Sequence, residues 1–123
     1  MIDGLNHQAF EKKGIGVHNG SFAFVIENEN SEFFGGISGV NYYGCFFVDI
    51  LFVNEPFRNQ GYGKQLMAKA EDLARQRECL FMAVNTMDFE SKSFYEYLGF
   101  IVEFERMGFE KDSSMVFMRK NLY

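Results

Sequence analysis

The densest chemistry in this chain lies between Val53 and Lys64, which read Val-Asn-Glu-Pro-Phe-Arg-Asn-Gln-Gly-Tyr-Gly-Lys. An apolar run, Cys45 to Val53, leads in. An amphipathic stretch with Leu66, Met67, Ala70, Leu73 and Ala74 on one side leads out. A strand, a glycine-bearing loop and a helix in that order aim successive backbone N–H groups and the positive end of a helix dipole at one point. The point suits an anion, most often a phosphate. Gly61 and Gly63 lack a Cβ, so a ligand can approach the backbone closely. Two common phosphate loops are excluded by spacing. In a Walker A loop Arg58 would stand at the first glycine, and Gln65 follows Lys64 where Ser or Thr is needed. In a dinucleotide fingerprint Leu66 would hold the third glycine position. What remains is Arg58-x-x-Gly61-x-Gly63, a spacing that a ligand-free turn between strand and helix would also satisfy.

A second stretch, Ser91 to Phe100, reads Ser-Lys-Ser-Phe-Tyr-Glu-Tyr-Leu-Gly-Phe. Gly99 stands where a glycine stops a helix, and Phe100 opens the next strand. Taken together, the two stretches resemble the GNAT superfamily of acetyl-CoA-dependent N-acetyltransferases. Its Arg/Gln-x-x-Gly-x-Gly/Ala loop holds the pyrophosphate of acetyl-coenzyme A, and its later helix ends Phe/Leu-Tyr-x-x-x-Gly-Phe. The resemblance runs from about Ser21 to Leu122. Within the superfamily the chain looks most like compact bacterial members carrying Gly-Gly-x-Ser-Gly, here Gly35 to Gly39, then Asp-x-Leu-x-Val, here Asp49 to Val53.

The resemblance implies acetyl-CoA as cosubstrate, gripped by the loop residues Arg58, Asn59, Gln60, Gly61, Tyr62, Gly63 and Lys64, with Phe94 beside it. The backbone of Leu51, Phe52 and Val53 would pair with the pantetheine arm where neighbouring strands splay apart. The N–H of Phe52 or Val53 would polarise the thioester carbonyl. Two side chains are candidates for proton transfer. Freeing an alkylammonium of its proton at neutral pH costs roughly 4–5 kcal/mol, and Asp49 is placed to help, as an ammonium ligand or as a base acting through water. Its strand reads apolar on both faces, so an uncompensated charge is unexpected there and Asp49 should face a cavity. A carboxylate satisfied at a bulge, or salt-bridged to Arg or Lys, is the other reading. Tyr95 is the candidate general acid for the departing thiolate, because a phenol of pKa about 10 is protonated at neutral pH; the other reading is a tyrosine packed in the core. Gly35, Gly36 and Gly39 interrupt a strand pattern and imply a bulge or a close backbone approach, either of which clears space beside Asp49. The pattern departs from the superfamily at Asp88, where Asn is usual, and at Ser91, where Ala is usual.

The elements that must position these residues can be read in outline. Ile2, Leu5, Ala9 and Phe10 recur at helical spacing and predict a short helix over Asp3–Lys12, followed by a glycine-rich connection, Gly14–Gly20. Strands are expected over Phe22–Glu27, Phe33–Val40 and Cys45–Val53, with short turns that imply an antiparallel meander. The main helix is expected over Gly61–Glu78. A strand, Leu80–Asn85, must cross over to run parallel to Cys45–Val53. A helix over Ser91–Leu98 and strands near Phe100–Gly108 and Met115–Asn121 complete a GNAT-like α/β fold: a mixed, mostly antiparallel twisted sheet flanked by helices, with a shortened N-terminal helical region. Superfamily members usually carry a strand and two helices before the meander, and those helices help wall the acceptor site. About twenty residues precede Phe22 here, so acceptor recognition is expected to differ and a second chain to supply the wall, as a homodimer.

Composition bounds the rest. A length of 123 residues suits one domain, 1–123. Sixteen Phe and 47% hydrophobic residues are ample for a packed core, and the formal net charge of −5 argues against nucleic acid as a partner. Cys45 and Cys79 form no Cys-x-x-Cys pair, and His7 and His18 make no metal-ligand spacing with them. They read as free thiols of a reducing compartment, and no metal is implied. The N-terminus is polar by residue 3 and the longest apolar run, containing Asp49, is too short to span a bilayer. A cytoplasmic N-acetyltransferase of a primary amine, small molecule or peptide, is the leading reading. A non-catalytic acyl-CoA-binding or sensing module that keeps the loop is the alternative.

Overall fold

A computed structural model describes residues 19–123. The helix expected over Asp3–Lys12, and most of the connection after it, lie outside the described residues. The first three strands, β1 (Gly20–Glu27), β2 (Phe33–Tyr42) and β3 (Cys45–Val53), form the expected antiparallel meander. Its tight turns have local causes. The Asn28 side-chain oxygen accepts the N–H groups of Asn30 and Glu32 at 2.9 Å each, closing the first turn. Tyr43 and Gly44 both take positive φ, 49° and 86°, which a two-residue hairpin turn matched to strand twist requires.

Helix α1 (Tyr62–Gln76) follows β3 and buries Leu66, Met67, Ala70 and Ala74 against the sheet. It stops two residues short of the expected end, because Glu78 adopts φ 59°. The N–H of Cys79 then bonds the Ala74 carbonyl at 2.9 Å, and that of Glu78 the Arg75 carbonyl at 3.0 Å, a Schellman closure. Strand β4 (Phe81–Met87) returns parallel to β3, and helix α2 (Lys92–Tyr97) follows it. Strands β5 (Ile101–Phe109) and β6 (Ser113–Asn121) form a hairpin that inserts β6 beside β4, giving the order β1-β2-β3-β4-β6-β5.

The core lies on one face of this sheet. Phe22, Ile37, Phe46, Met82, Val84, Val116 and Met118 point into it and meet α1, Tyr95 and Phe100. Phe22 stacks on Phe46 with ring centroids 4.3 Å apart. The other face is bare among the described residues, so β3 is not buried on both sides as its apolar run suggested: Ile50 is 52% and Phe52 41% exposed. No helix of the described residues is long and apolar enough to cross a membrane.

Candidate active site

The site begins where β3 leaves β4. The two strands pair only at Cys45↔Phe81, Phe46↔Met82 and Phe47↔Ala83, although they continue to Val53 and Met87. The divergence starts at a bulge. Gly39 pairs with Val48 and Ser38 with Ile50, which leaves Asp49 as the extra residue. A bulge sharpens local twist and bends its strand. Gly39 is what permits it: a Cβ there would lie 2.0 Å from the Phe47 carbonyl oxygen and 2.8 Å from the Phe22 ring. Beyond Phe47 the β4-facing backbone edge of β3 has no strand partner among the described residues.

The fork opens into a cleft of about 740 Å³ at the start of α1. Leu51, Phe52 and Val53 form one wall, Arg58, Asn59, Gly61, Tyr62, Gly63 and Lys64 the end, and Phe94 the other wall. Ten of the eleven residues that the motifs assigned to the coenzyme therefore meet in one cavity. The eleventh, Gln60, stays outside the lining and donates from Nε2 to the Pro56 carbonyl at 3.3 Å, bracing the loop. Phe57, Glu90 and Ser91 also line the cleft. The sequence singled out neither Phe57 nor Glu90, and Ser91 only as a departure from the superfamily pattern, because the loop and the β4–α2 turn acquire a shared cavity only in three dimensions.

The end of the cleft is built for an anion. Asn59 and Gly61 take left-handed φ values of 64° and 87°, which turn the chain sharply into α1. The helix has no side-chain cap, and its first intrahelical bond runs from the N–H of Gln65 to the Gly61 carbonyl at 3.0 Å. The N–H groups of Tyr62, Gly63 and Lys64 are left without a protein acceptor among the described residues. No acidic residue occupies the first turn, and Lys64 sits there instead. A cation at a helix N-terminus opposes the dipole unless an anion binds between them. Arg58 donates from Nε to the Val53 carbonyl at 2.9 Å, which fixes its guanidinium at the cleft mouth with its other donors uncommitted. Phe34 stacks on Phe57 at 4.0 Å and contacts Tyr62 at 5.2 Å, propping the loop on β2.

The two proton-transfer candidates sit differently. Asp49 is exposed, not enclosed in a cavity, and makes no ion pair or hydrogen bond among the described residues. The bulge that one reading required is present; the salt bridge is not. Tyr95 is 7% exposed, with Phe94 at 5.3 Å and Phe100 at 5.6 Å between ring centroids. Burial pushes its phenol up from the ordinary tyrosine value. It stands one ring behind the cleft wall: Ser91 and Phe94, a turn and one residue earlier, line the cleft, and Tyr95 does not. Its hydroxyl has no hydrogen-bond partner, and no polar side-chain atom among the described residues is sealed without one, so the hydroxyl touches open space. Asp88 is engaged elsewhere, accepting the Ser114 N–H at 3.3 Å and donating its own N–H to the Ser114 carbonyl at 2.9 Å.

Cys45 and Cys79 are free thiols. Burial raises both, and for Cys45 the neighbouring Cys79 adds to the rise, so neither is poised as a thiolate nucleophile at neutral pH. Among the described residues no group of three or more His, Cys, Asp or Glu could hold a metal ion.

Known proteins resemble this chain in sequence and in fold. Residues 5–100 match the profile of the family described as Acetyltransferase (GNAT) family. The chain is 37% identical over 76 residues to acetyltransferase Atu2258 of Agrobacterium fabrum; the match covers 62% of this chain and 56% of that protein's length. An acetyltransferase from Bacillus cereus superposes with a TM-score of 0.86 at 24% identity, over 98% of this chain and 87% of its own. An aminoglycoside 6'-N-acetyltransferase, solved in complex with coenzyme A, superposes with a TM-score of 0.75 at 16% identity, over 84% of this chain and 73% of its own.

Proposed function

Because the chain belongs to the GNAT acetyltransferase family, its profile covering residues 5–100, we propose that it transfers the acetyl group of acetyl-CoA to a primary amine. The observation that carries this reading is the uncapped, lysine-bearing start of α1 closing a cleft whose side wall is an unpaired strand edge. The pyrophosphate lies on the N–H groups of Tyr62, Gly63 and Lys64, and the pantetheine arm runs along Leu51–Val53 toward the fork at Asp49. The neutral amine attacks the thioester carbon while the Val53 N–H steadies the developing oxyanion; the Phe52 N–H turns toward β2, as that of Asn54 does in bonding the Phe34 carbonyl. The carbon–sulfur bond breaks, Tyr95 gives its phenol proton to the thiolate, and the proton shed by the attacking nitrogen restores the phenol through water. Asp49 holds the incoming ammonium and passes its surplus proton to water.

The assembly is a homodimer in this reading. Its support is β5, an edge strand with Ile101, Val102, Phe104 and Met107 exposed and no neighbour along its outer edge among the described residues. Light scattering should give twice the monomer mass, and a monomer at micromolar concentration removes the dimer. The two thiols fit a reducing cytoplasm. A non-catalytic acyl-CoA-binding module would share the cleft. Calorimetry with acetyl-CoA, followed by thiol release across a panel of primary amines, separates the two. Binding plus amine-dependent thiol release is expected. Binding without release across the panel leaves the module, and no binding removes both readings.

A further inference from the structure

The face of the sheet that is bare among the described residues carries an aromatic floor beside the fork. Val25, Gly36 and Phe52 are in register across β1, β2 and β3. Gly36 contributes no side chain to that row, and Phe33 and Phe52 fill the gap, with centroids 5.5 Å apart and planes at 41°. A Cβ at Gly36 would stand 3.4 Å from the Phe52 ring and 3.6 Å from the Phe33 ring. Both rings therefore lie down over the strand instead of standing up from it. They stay 37% and 41% exposed, with Val25 and Ile50 exposed beside them. Phe52 belongs to this floor and to the coenzyme cleft at once. Asp49, the unpaired carboxylate of the bulge, adjoins Ile50 at the point where β3 leaves β4.

We propose that this floor is the acceptor subsite, and that the acceptor is a primary amine joined to a flat apolar group: an arylalkylamine whose ring packs on Phe33 and Phe52 while its ammonium meets Asp49. The inference rests on the acetyl-transfer reading and names its substrate class. The chemistry is complementary on both counts, ring to rings and cation to lone carboxylate. The spacing agrees. Phe52 and Asp49 are three residues apart along an extended strand, about 10 Å, a span that an aryl ring, a two-carbon arm and the Asp49 side chain that meets its ammonium cover together. Continuity agrees as well, since an amine at Asp49 stands at the fork where the thioester end of the arm must arrive. A polyamine or an amino sugar brings no aromatic ring to pair with Phe33 and Phe52.

The test uses phenethylamine and 2-methoxyethylamine as probes, with the full-length chain, Phe33→Ala, and Phe33→Leu as a volume-keeping second variant. Wild type is expected to favour phenethylamine in kcat/KM by about tenfold or more. Both variants should lose about tenfold on phenethylamine, with 2-methoxyethylamine turnover and coenzyme affinity unchanged. Equal losses on both amines, no loss on either, or a wild-type preference for the polar amine overturns the proposal. Binding is read separately, by calorimetric titration of phenethylamine into protein saturated with coenzyme A. If no amine is acetylated yet phenethylamine binds in a Phe33-dependent way, the floor stands and the transfer reading falls. If phenethylamine does not bind, the floor falls whatever the turnover. A dimer that dissociates on Phe33→Ala hands this face to a second copy and also overturns it.

Discussion

Gly61 and Gly63 allow the coenzyme grip to be separated from the stability of the loop. Gly61 holds φ at 87°, and a Cβ placed there meets nothing within 4 Å. The cost of Gly61→Ala is therefore conformational, about 1–2 kcal/mol for an L-residue forced into the left-handed region. Gly63 lies in the first turn of α1 with no such constraint, and a Cβ there would rest 3.4 Å from the edge of the Phe94 ring. Gly63→Ala can gain helix propensity, up to about 1 kcal/mol. For a domain of this size 1 kcal/mol moves Tm by about 4–8 °C, so Gly61→Ala should melt lower and Gly63→Ala at or above wild type. Gly61→Ala should weaken coenzyme binding by re-aiming the N–H groups of Tyr62 and Gly63; Gly63→Ala places the residue that the family pattern also allows there and should keep binding, whereas Gly63→Val stands a branched side chain where the pyrophosphate must approach and should weaken it. A charge-assisted bond is worth about 1.5–3 kcal/mol, so each one lost raises Kd by about 10- to 150-fold. Calorimetry with coenzyme A beside thermal unfolding reads both quantities. A Gly63→Val protein that stays folded and binds coenzyme A with wild-type affinity would refute the placement of the pyrophosphate at this helix start.

Three further outcomes follow from individual contacts. Tyr95→Phe should lower kcat by about 10²- to 10⁴-fold with little change in coenzyme affinity. Burial raises the phenol, so wild-type activity should fall only as pH climbs through a value above the ordinary tyrosine range, and that limb should vanish in the variant; a wild-type rate for Tyr95→Phe makes Tyr95 a core residue and leaves the proton to water. At Glu71 burial pushes the carboxyl up, but hydrogen bonds from Lys120 at 2.7 Å and Arg75 at 3.0 Å outweigh it and hold the group below the usual range. The unfolded chain then binds the proton first as pH falls, so this stabilisation is complete above the ordinary carboxylate pKa and disappears below the folded one. Glu71→Gln should therefore melt lower than wild type at neutral pH and converge with it in acid; a gap that is constant with pH contradicts this. Gly39→Ala presses a Cβ to 2.0 Å from a backbone oxygen, and no rotamer relieves that, so urea unfolding should show a loss of about 3 kcal/mol or more; unchanged stability argues against the bulge opposite it.

How much of this was legible depended on whether the determinant was a side-chain pattern or a backbone path. The bounds of β3, the meander turns and the glycine loop were readable because apolar runs, Asn and Gly mark them directly. The end of α1 was not, since Glu78 takes a left-handed conformation that its residue type does not announce. Alternation also failed to tell a strand buried on two faces from one lying on a bare face, which is why Asp49 was expected to be enclosed and is exposed. The fork itself comes from one extra residue in β3. Gly39 hints at that bulge from the opposite strand, but nothing in the sequence says that Asp49 is the residue left over. Tyr95 illustrates the same limit: its motif assigns a role, whereas its packing sets it behind Phe94, outside the cleft lining, with only its hydroxyl unsealed.

The measurement that bears most directly on the transfer reading is the fate of the acetyl group. The protein is incubated with acetyl-CoA labelled with deuterium in the acetyl methyl and with a primary amine, and mass spectrometry follows the amine while a thiol reagent follows the coenzyme. Acetyl transfer predicts one labelled acetyl group on the amine for each thiol released, with both signals lost when the Gly63 site is blocked. Coenzyme that binds in the cleft while the amine gains no label and thiol release stays at the buffer rate would contradict it, and would leave a binding module in place of an enzyme.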